Sequence, residues 1–92
     1  MLRIFENFIM KTDGIKPSLS QYKYVGTRVE GLMDGYGTLF YRGLDQKFFE
    51  GNFKKGYIYD KDSVCYDKNG EVTYRGIILF GIPYEDGAPI YL

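Results

Sequence analysis

Apolar and polar residues alternate along much of this chain. Phe49-Glu50-Gly51-Asn52-Phe53-Lys54 and Val72-Thr73-Tyr74-Arg75 keep a period of two. That is the period of a strand with one face turned to a core. Strands are predicted over Tyr22 to Val29, Gly37 to Tyr41, Phe48 to Lys54, Ser63 to Tyr66, Val72 to Leu79 and Ala88 to Leu92. Glycine-bearing segments separate them: Gly31 to Gly35, Arg42 to Gln46, Lys55 to Tyr57, Asp67 to Gly70 and Phe80 to Pro83. Asn69-Gly70 predicts a type I′ hairpin turn, whose two central residues both need positive φ. Residues 2–10 are read as a strand turning at Lys11 to Gly14, with a short amphipathic helix as the alternative, because short apolar runs fit either period. Ile15 to Gln21, with Pro17, Ser18 and Ser20, reads as a linker.

The pattern recurs. Tyr24-x-Gly26 returns as Phe49-x-Gly51 and Tyr74-x-Gly76, 25 residues on each time. Gly31 returns as Gly56 and Gly81, and Tyr41 as Tyr66 and Tyr91, in the same register. A fixed period of this size marks a repeat array. The chain divides into a lead-in, residues 1–21, and three repeats at about 22–46, 47–71 and 72–92. The third copy is expected to finish its second strand as the sequence ends, so the array is expected to be whole. An aromatic ring, taken to come from a neighbouring strand, is expected to lie flat over each Gly26, Gly51 and Gly76. Tyr41, Tyr66 and Tyr91 are expected to form a second aromatic row.

Composition narrows the function classes. Twelve basic and twelve acidic residues cancel, so no net field draws in a polyanion. There is no histidine, and Cys65 is the one cysteine, which leaves no internal disulfide and no multi-cysteine zinc site. A reduced, intracellular and cytoplasmic setting is expected. No run reaches the roughly 20 apolar residues of a membrane-spanning helix.

The spacing Tyr-x-Gly-x4-Gly-x3-Gly-x-Gly resembles the MORN (membrane occupation and recognition nexus) repeat. The first copy carries all of it, at Tyr24, Gly26, Gly31, Gly35 and Gly37. The second departs at Asp60 and Asp62, and the third at Glu85, before recovering Gly87. Arg28, Phe53 and Ile78 stand where the family usually has tryptophan. The resemblance covers residues 22–92. It implies one antiparallel hairpin per repeat, stacked into an elongated single sheet. It also implies non-catalytic work: protein docking or scaffolding in cytoskeletal assemblies, with anionic phospholipid binding as the alternative.

The expected fold is therefore all-β, a single antiparallel sheet of three hairpins. The expected function is a binding module that offers an aromatic face to a protein partner, either a helix laid in a groove or another such array. Tyr24, Arg28, Phe49, Phe53, Tyr74 and Ile78 are the expected docking residues, and Gly26, Gly31, Gly51, Gly56, Gly76 and Gly81 define the repeats. Catalysis, cofactors, metals and nucleic acid are not expected. Gly35 to Tyr41 looks a little like an RNA-recognition motif, but Asp34 and Thr38 stand where a base and an aromatic belong. Asp60-Lys61-Asp62 lacks the further ligands of a calcium loop. No histidine is present to activate Cys65. Glu85 and Asp86 point to opposite faces if both lie in a strand. Lys54 and Lys55, near Lys47 and Arg28, form a small basic patch diluted by Glu50 and Asp45.

Overall fold

The computed structural model describes residues 16–90. The alternatives for residues 2–10, and the placing of Tyr91, lie outside them. Among the described residues the fold is all-β, with eight strands in one antiparallel sheet: β1 (Tyr22–Val29), β2 (Leu32–Tyr41), β3 (Lys47–Lys54), β4 (Tyr57–Ile58), β5 (Asp60–Tyr66), β6 (Val72–Leu79), β7 (Ile82–Glu85) and β8 (Ala88–Pro89). They lie in the order β1-β2-β3-β5-β6-β7-β8, with β4 paired to β3. Each strand neighbours the next in sequence, save that β4 and β5 both pair with β3. The principal extents are 32 × 31 × 22 Å, so the sheet is nearly as wide as it is long.

The 25-residue register is visible in the turns. Glu30 and Gly31 have φ of 51° and 81°, Lys55 and Gly56 of 53° and 90°, Phe80 and Gly81 of 50° and 77°. Each pair closes a two-residue loop between directly paired strand residues: Val29 and Leu32, Lys54 and Tyr57, Leu79 and Ile82. Two consecutive positive φ values are the mark of a type I′ turn, which matches the twist of the flanking strands. A non-glycine residue held there costs about 1–2 kcal/mol. Asp86 and Gly87, with φ of 55° and 80°, make a fourth such turn between β7 and β8.

Two expected turns and one expected strand are corrected. The chain does not turn through Gly31 to Gly35; it turns at Glu30-Gly31, and β2 starts at once with Leu32. Asn69-Gly70 does not form a type I′ turn, because of this pair only Gly70 has positive φ, at 87°. The Asp67 carboxylate accepts the backbone N–H of Asn69 (2.8 Å) and of Glu71 (3.0 Å), and the Gly70 N–H donates to the Asp67 carbonyl (3.0 Å). That is a three-residue loop ending on a left-handed glycine. In the third repeat β7 is the returning strand, and Ala88–Pro89 forms an additional strand on β7.

One face carries the core. Tyr22, Met33, Leu39, Phe48, Phe49, Phe53, Ile58, Cys65, Tyr74 and Ile78 form one buried cluster, with Tyr24 and Tyr41 packed against it. Phe48 and Phe49 adjoin in sequence yet both are buried, because the β2–β3 register slips there: Leu39 faces Phe49 while Phe40 faces Lys47. Phe48 is the extra residue of this bulge, and a bulge re-aims a side chain. Its ring stacks on Tyr22, with centroids 4.6 Å apart.

Glycine lets the rings lie down. A Cβ on Gly37 would meet Tyr24 Cε1 at 2.5 Å and Cζ at 2.6 Å. The Tyr24 ring therefore crosses β2 over bare backbone and meets Phe53 edge-on, centroids 5.1 Å apart. β1 and β3 are two strands apart, about 9.6 Å, so a side chain at position 37 would hold these rings apart. A Cβ on Gly51 would meet Phe49 Cζ at 2.8 Å, and one on Gly76 would meet the Tyr74 hydroxyl at 2.9 Å. In each repeat the ring over the second-column glycine comes from two residues earlier on the same strand. The expectation of a ring from a neighbouring strand is corrected; the reach to a second strand occurs at Gly37.

The aromatic's hydroxyl also has a fixed task. Tyr24 donates to the Thr27 carbonyl at 2.6 Å, and the Tyr74 hydroxyl lies 3.1 Å from the Ile77 carbonyl and 3.0 Å from that of Tyr84. Phe49 has no hydroxyl. The Asp60 carboxylate stands over Gly51 instead, accepting the Asn52 backbone N–H at 2.9 Å and its side-chain amide at 3.1 Å. Asp60 is where this repeat departs from the glycine pattern, and its carboxylate ties Asn52 as an acceptor, where the Tyr24 and Tyr74 hydroxyls tie carbonyls as donors. Asp60→Gly alone is expected to lower stability by about 1–2 kcal/mol, the cost of a lost hydrogen bond. Adding Phe49→Tyr should not recover it, because a tyrosine hydroxyl placed like that of Tyr24 donates to a carbonyl and leaves the Asn52 N–H groups without their acceptor. Urea titration of both singles and the double variant checks this; a recovery in the double variant would mean that the two groups perform the same task.

The expected second row takes another form. Tyr41 packs against Tyr22 and Phe48, centroids 5.4 and 5.8 Å away, and donates its hydroxyl to the Tyr66 carbonyl at 2.7 Å. Tyr41 and Tyr66 are joined by that bond rather than by their rings. Burial pushes the Tyr22 hydroxyl up to about 12, and raises Tyr41 and the Cys65 thiol as well. Cys65 is fully buried, a packed thiol rather than a nucleophile.

Candidate functional site

The six expected docking residues do not form an open face. Phe49, Phe53 and Ile78 are at most 3% exposed, and Tyr74 is also buried. Phe49 meets Phe53 edge-on, centroids 5.4 Å apart. These side chains are the protein's own core, so a partner would have to open the fold to reach them. Tyr24 and Arg28 remain at the margin. The Arg28 guanidinium sits 5.0 Å from the Tyr24 ring centroid and donates to the Gly31 carbonyl at 3.1 Å. The physical reason is that alternation assigns residues to faces without saying which face is turned inward.

The other face is polar with apolar islands. Lys47 and Glu50 form an ion pair at 2.6 Å, and Tyr36 donates its hydroxyl to Glu50 at 2.9 Å. The Lys47 ammonium, then the Tyr36 hydroxyl, holds the Glu50 carboxyl below its ordinary value; the same pair raises Lys47. All three are exposed or half-exposed, and solvent screens such pairs. Val25 and Tyr36 are 51% and 57% exposed. Val25 lies opposite Thr38, and Tyr36 is two residues along on the same face.

An open cleft of about 530 Å³ lies across β2, β3 and the β4–β5 junction, lined among others by Asp34, Asn52, Lys54, Tyr59, Asp60 and Lys61. Its carboxylates are engaged in architecture. Asp34 accepts the Lys55 backbone N–H at 3.0 Å, and Asp60 accepts the Asp62 N–H at 2.9 Å besides its two bonds to Asn52. Among the described residues no three acidic or thiol groups gather as a metal site. The rim behaves differently. Tyr57, Tyr59 and Phe80 form a cluster, with Phe80 5.9 Å from Tyr57 and 4.8 Å from Tyr59 by ring centroids. Lys54 Nζ lies 5.1 Å from the Tyr59 ring and 6.0 Å from Phe80, and Lys16 Nζ 5.3 Å from Tyr57. Ammonium groups over ring faces are held by the ring quadrupole.

Tyr57, Tyr59 and Phe80 were not among the residues singled out from the sequence. A signal existed: Phe80 stands in the column of Glu30 and Lys55, the first central position of the turn. A bulky aromatic is conspicuous there, since a positive φ favours Gly, Asn or Asp. The small basic patch expected from Lys54, Lys55, Lys47 and Arg28 is divided among separate partners: Lys47 on Glu50, Arg28 on Tyr24, and Lys54 on the ring cluster.

Comparison with known proteins adds no relative: no protein-family model, no curated protein and no solved structure matches this chain.

Proposed function

We propose that the protein is a non-catalytic binding module of MORN type, a scaffold subunit that docks a protein partner within a larger cytoplasmic assembly. The repeat reading is supported by three turns of one geometry and three ring-over-glycine contacts, all in the 25-residue register. The binding reading rests on the division of labour among the side chains. Asp34, Asp60 and Asp67 are engaged with backbone N–H groups, while Val25, Val29, Tyr36 and Phe80 stand at the surface. Exposed apolar groups on an open sheet suit docking. The partner surface is accordingly the solvent-facing side and its rim, not the aromatic column.

Affinity capture of the tagged full chain, followed by sizing, tests this. Wild type should elute in a defined complex. Val25→Thr with Tyr36→Thr should weaken the complex while leaving the melting temperature nearly unchanged, since both sites are exposed and Thr is a good strand former. A monomer that captures nothing and is retained on anionic vesicles would replace this reading with the lipid one.

A further inference from the structure

We infer that Tyr57, Tyr59 and Phe80, with Lys54 and Lys16, form a docking platform for an acidic polypeptide segment bearing an apolar side chain. The inference rests on the binding-module reading and names the kind of partner. Its first support is backbone geometry. Phe80 is held at φ of 50° in a turn, a conformation that disfavours a bulky side chain, and its ring is still 38% exposed. Strained positions of this kind cluster at ligand clamps and other functional sites.

The second support is charge. Lys54 and Lys16 contact rings through their ammonium groups. Lys55 and Lys61 flank them, in the adjoining turn and on the cleft wall. Among the described residues none of these four lysines has a carboxylate within ion-pair distance. The cleft's own carboxylates face backbone N–H groups instead. Ammonium groups that make no ion pair among the described residues, beside half-exposed rings, complement a segment that brings both a carboxylate and an apolar group.

A peptide fits better than a flat anionic surface. Asp34 and Asp60 line the cleft together with Lys54 and Lys61, and the whole chain is neutral. A membrane or a nucleic acid would meet carboxylates and ammonium groups together. A short segment can set its carboxylates against the lysines alone.

The test is fluorescence anisotropy with a labelled peptide of alternating Glu and Phe, against the peptide with Lys in place of Glu, and sedimentation with phosphatidylserine vesicles. The acidic peptide should bind, and added salt should weaken it. Phe80→Asn is the decisive variant, because Asn readily takes the left-handed turn position and the fold should stand. It should lose at least about tenfold in affinity, and Lys54→Gln should also weaken binding. Equal binding of both peptides, or no loss in Phe80→Asn, overturns the platform. A cellular partner captured equally by wild type and Phe80→Asn overturns the platform alone and leaves the binding module standing. Vesicle binding without peptide binding overturns both.

Discussion

Phe53→Ala is expected to destabilise the protein by about 3–5 kcal/mol, the range for truncating a buried aromatic. At roughly 4–8 °C per kcal/mol for a domain of this size, the melting temperature should fall by more than about 12 °C. The reason is position. Phe53 is 3% exposed, lies between Tyr24 and Phe49, and pairs with Gly35 on one side and Ile58 on the other. Its removal opens a cavity that the neighbouring rings cannot fill without leaving their glycines. Thermal and urea unfolding measure it directly. A surface anchor would give the opposite pattern, lost partner binding with stability kept. A loss under about 1 kcal/mol would therefore return Phe53 to the surface and undo the description of this core.

Gly51→Val should cost about 3 kcal/mol, against the sign that strand propensity alone would give, since Val outranks Gly in strands. The added Cβ would meet Phe49 Cζ at 2.8 Å and also the Asp60 carboxylate. Phe49 has no exit, being fully buried beside Phe53 and opposite Cys65. Gly37→Val is the informative comparison. It meets the Tyr24 ring at 2.5 Å, closer still, but Tyr24 is half-buried and can swing into solvent. Its cost should be smaller, about 1–2 kcal/mol. The ordering of the two variants in denaturant titration is the check. Equal losses would mean that the backbone shifts in both cases and ring eviction is not the mechanism.

The hairpin array was legible because its cause is local. Two-residue alternation and a 25-residue recurrence need no knowledge of the tertiary fold. The turn ends were less legible. Gly35, at φ of 87°, looks like turn punctuation, yet it lies inside β2 under the Thr27 side chain. Asn69-Gly70 carries a strong type I′ signal, but the Asp67 carboxylate captures two N–H groups and imposes another loop. The site was least legible. Phe49, Phe53, Tyr74 and Ile78 share a face by alternation, and which face is buried depends on rings meeting across strands. Asp60 reads as a defect in the repeat until its carboxylate is seen to hold the Asn52 backbone and side chain.

The chain-ordered sheet has a consequence for how the molecule comes apart. Every strand pairs with neighbours close in sequence, so each hairpin closes a short loop. Opening can then proceed strand by strand, as in other linear arrays, rather than all at once. β3, clasped by β2, β4 and β5 and carrying Phe49 and Phe53, is expected to be the last to release its amide protons to solvent, and the two-residue β8, paired to β7, among the first, an order that hydrogen exchange would read. Tyr57 and Phe80 sit between these extremes, one on each side of the seam joining the second and third repeats. A ligand bridging them would fasten that seam and slow exchange in both units together.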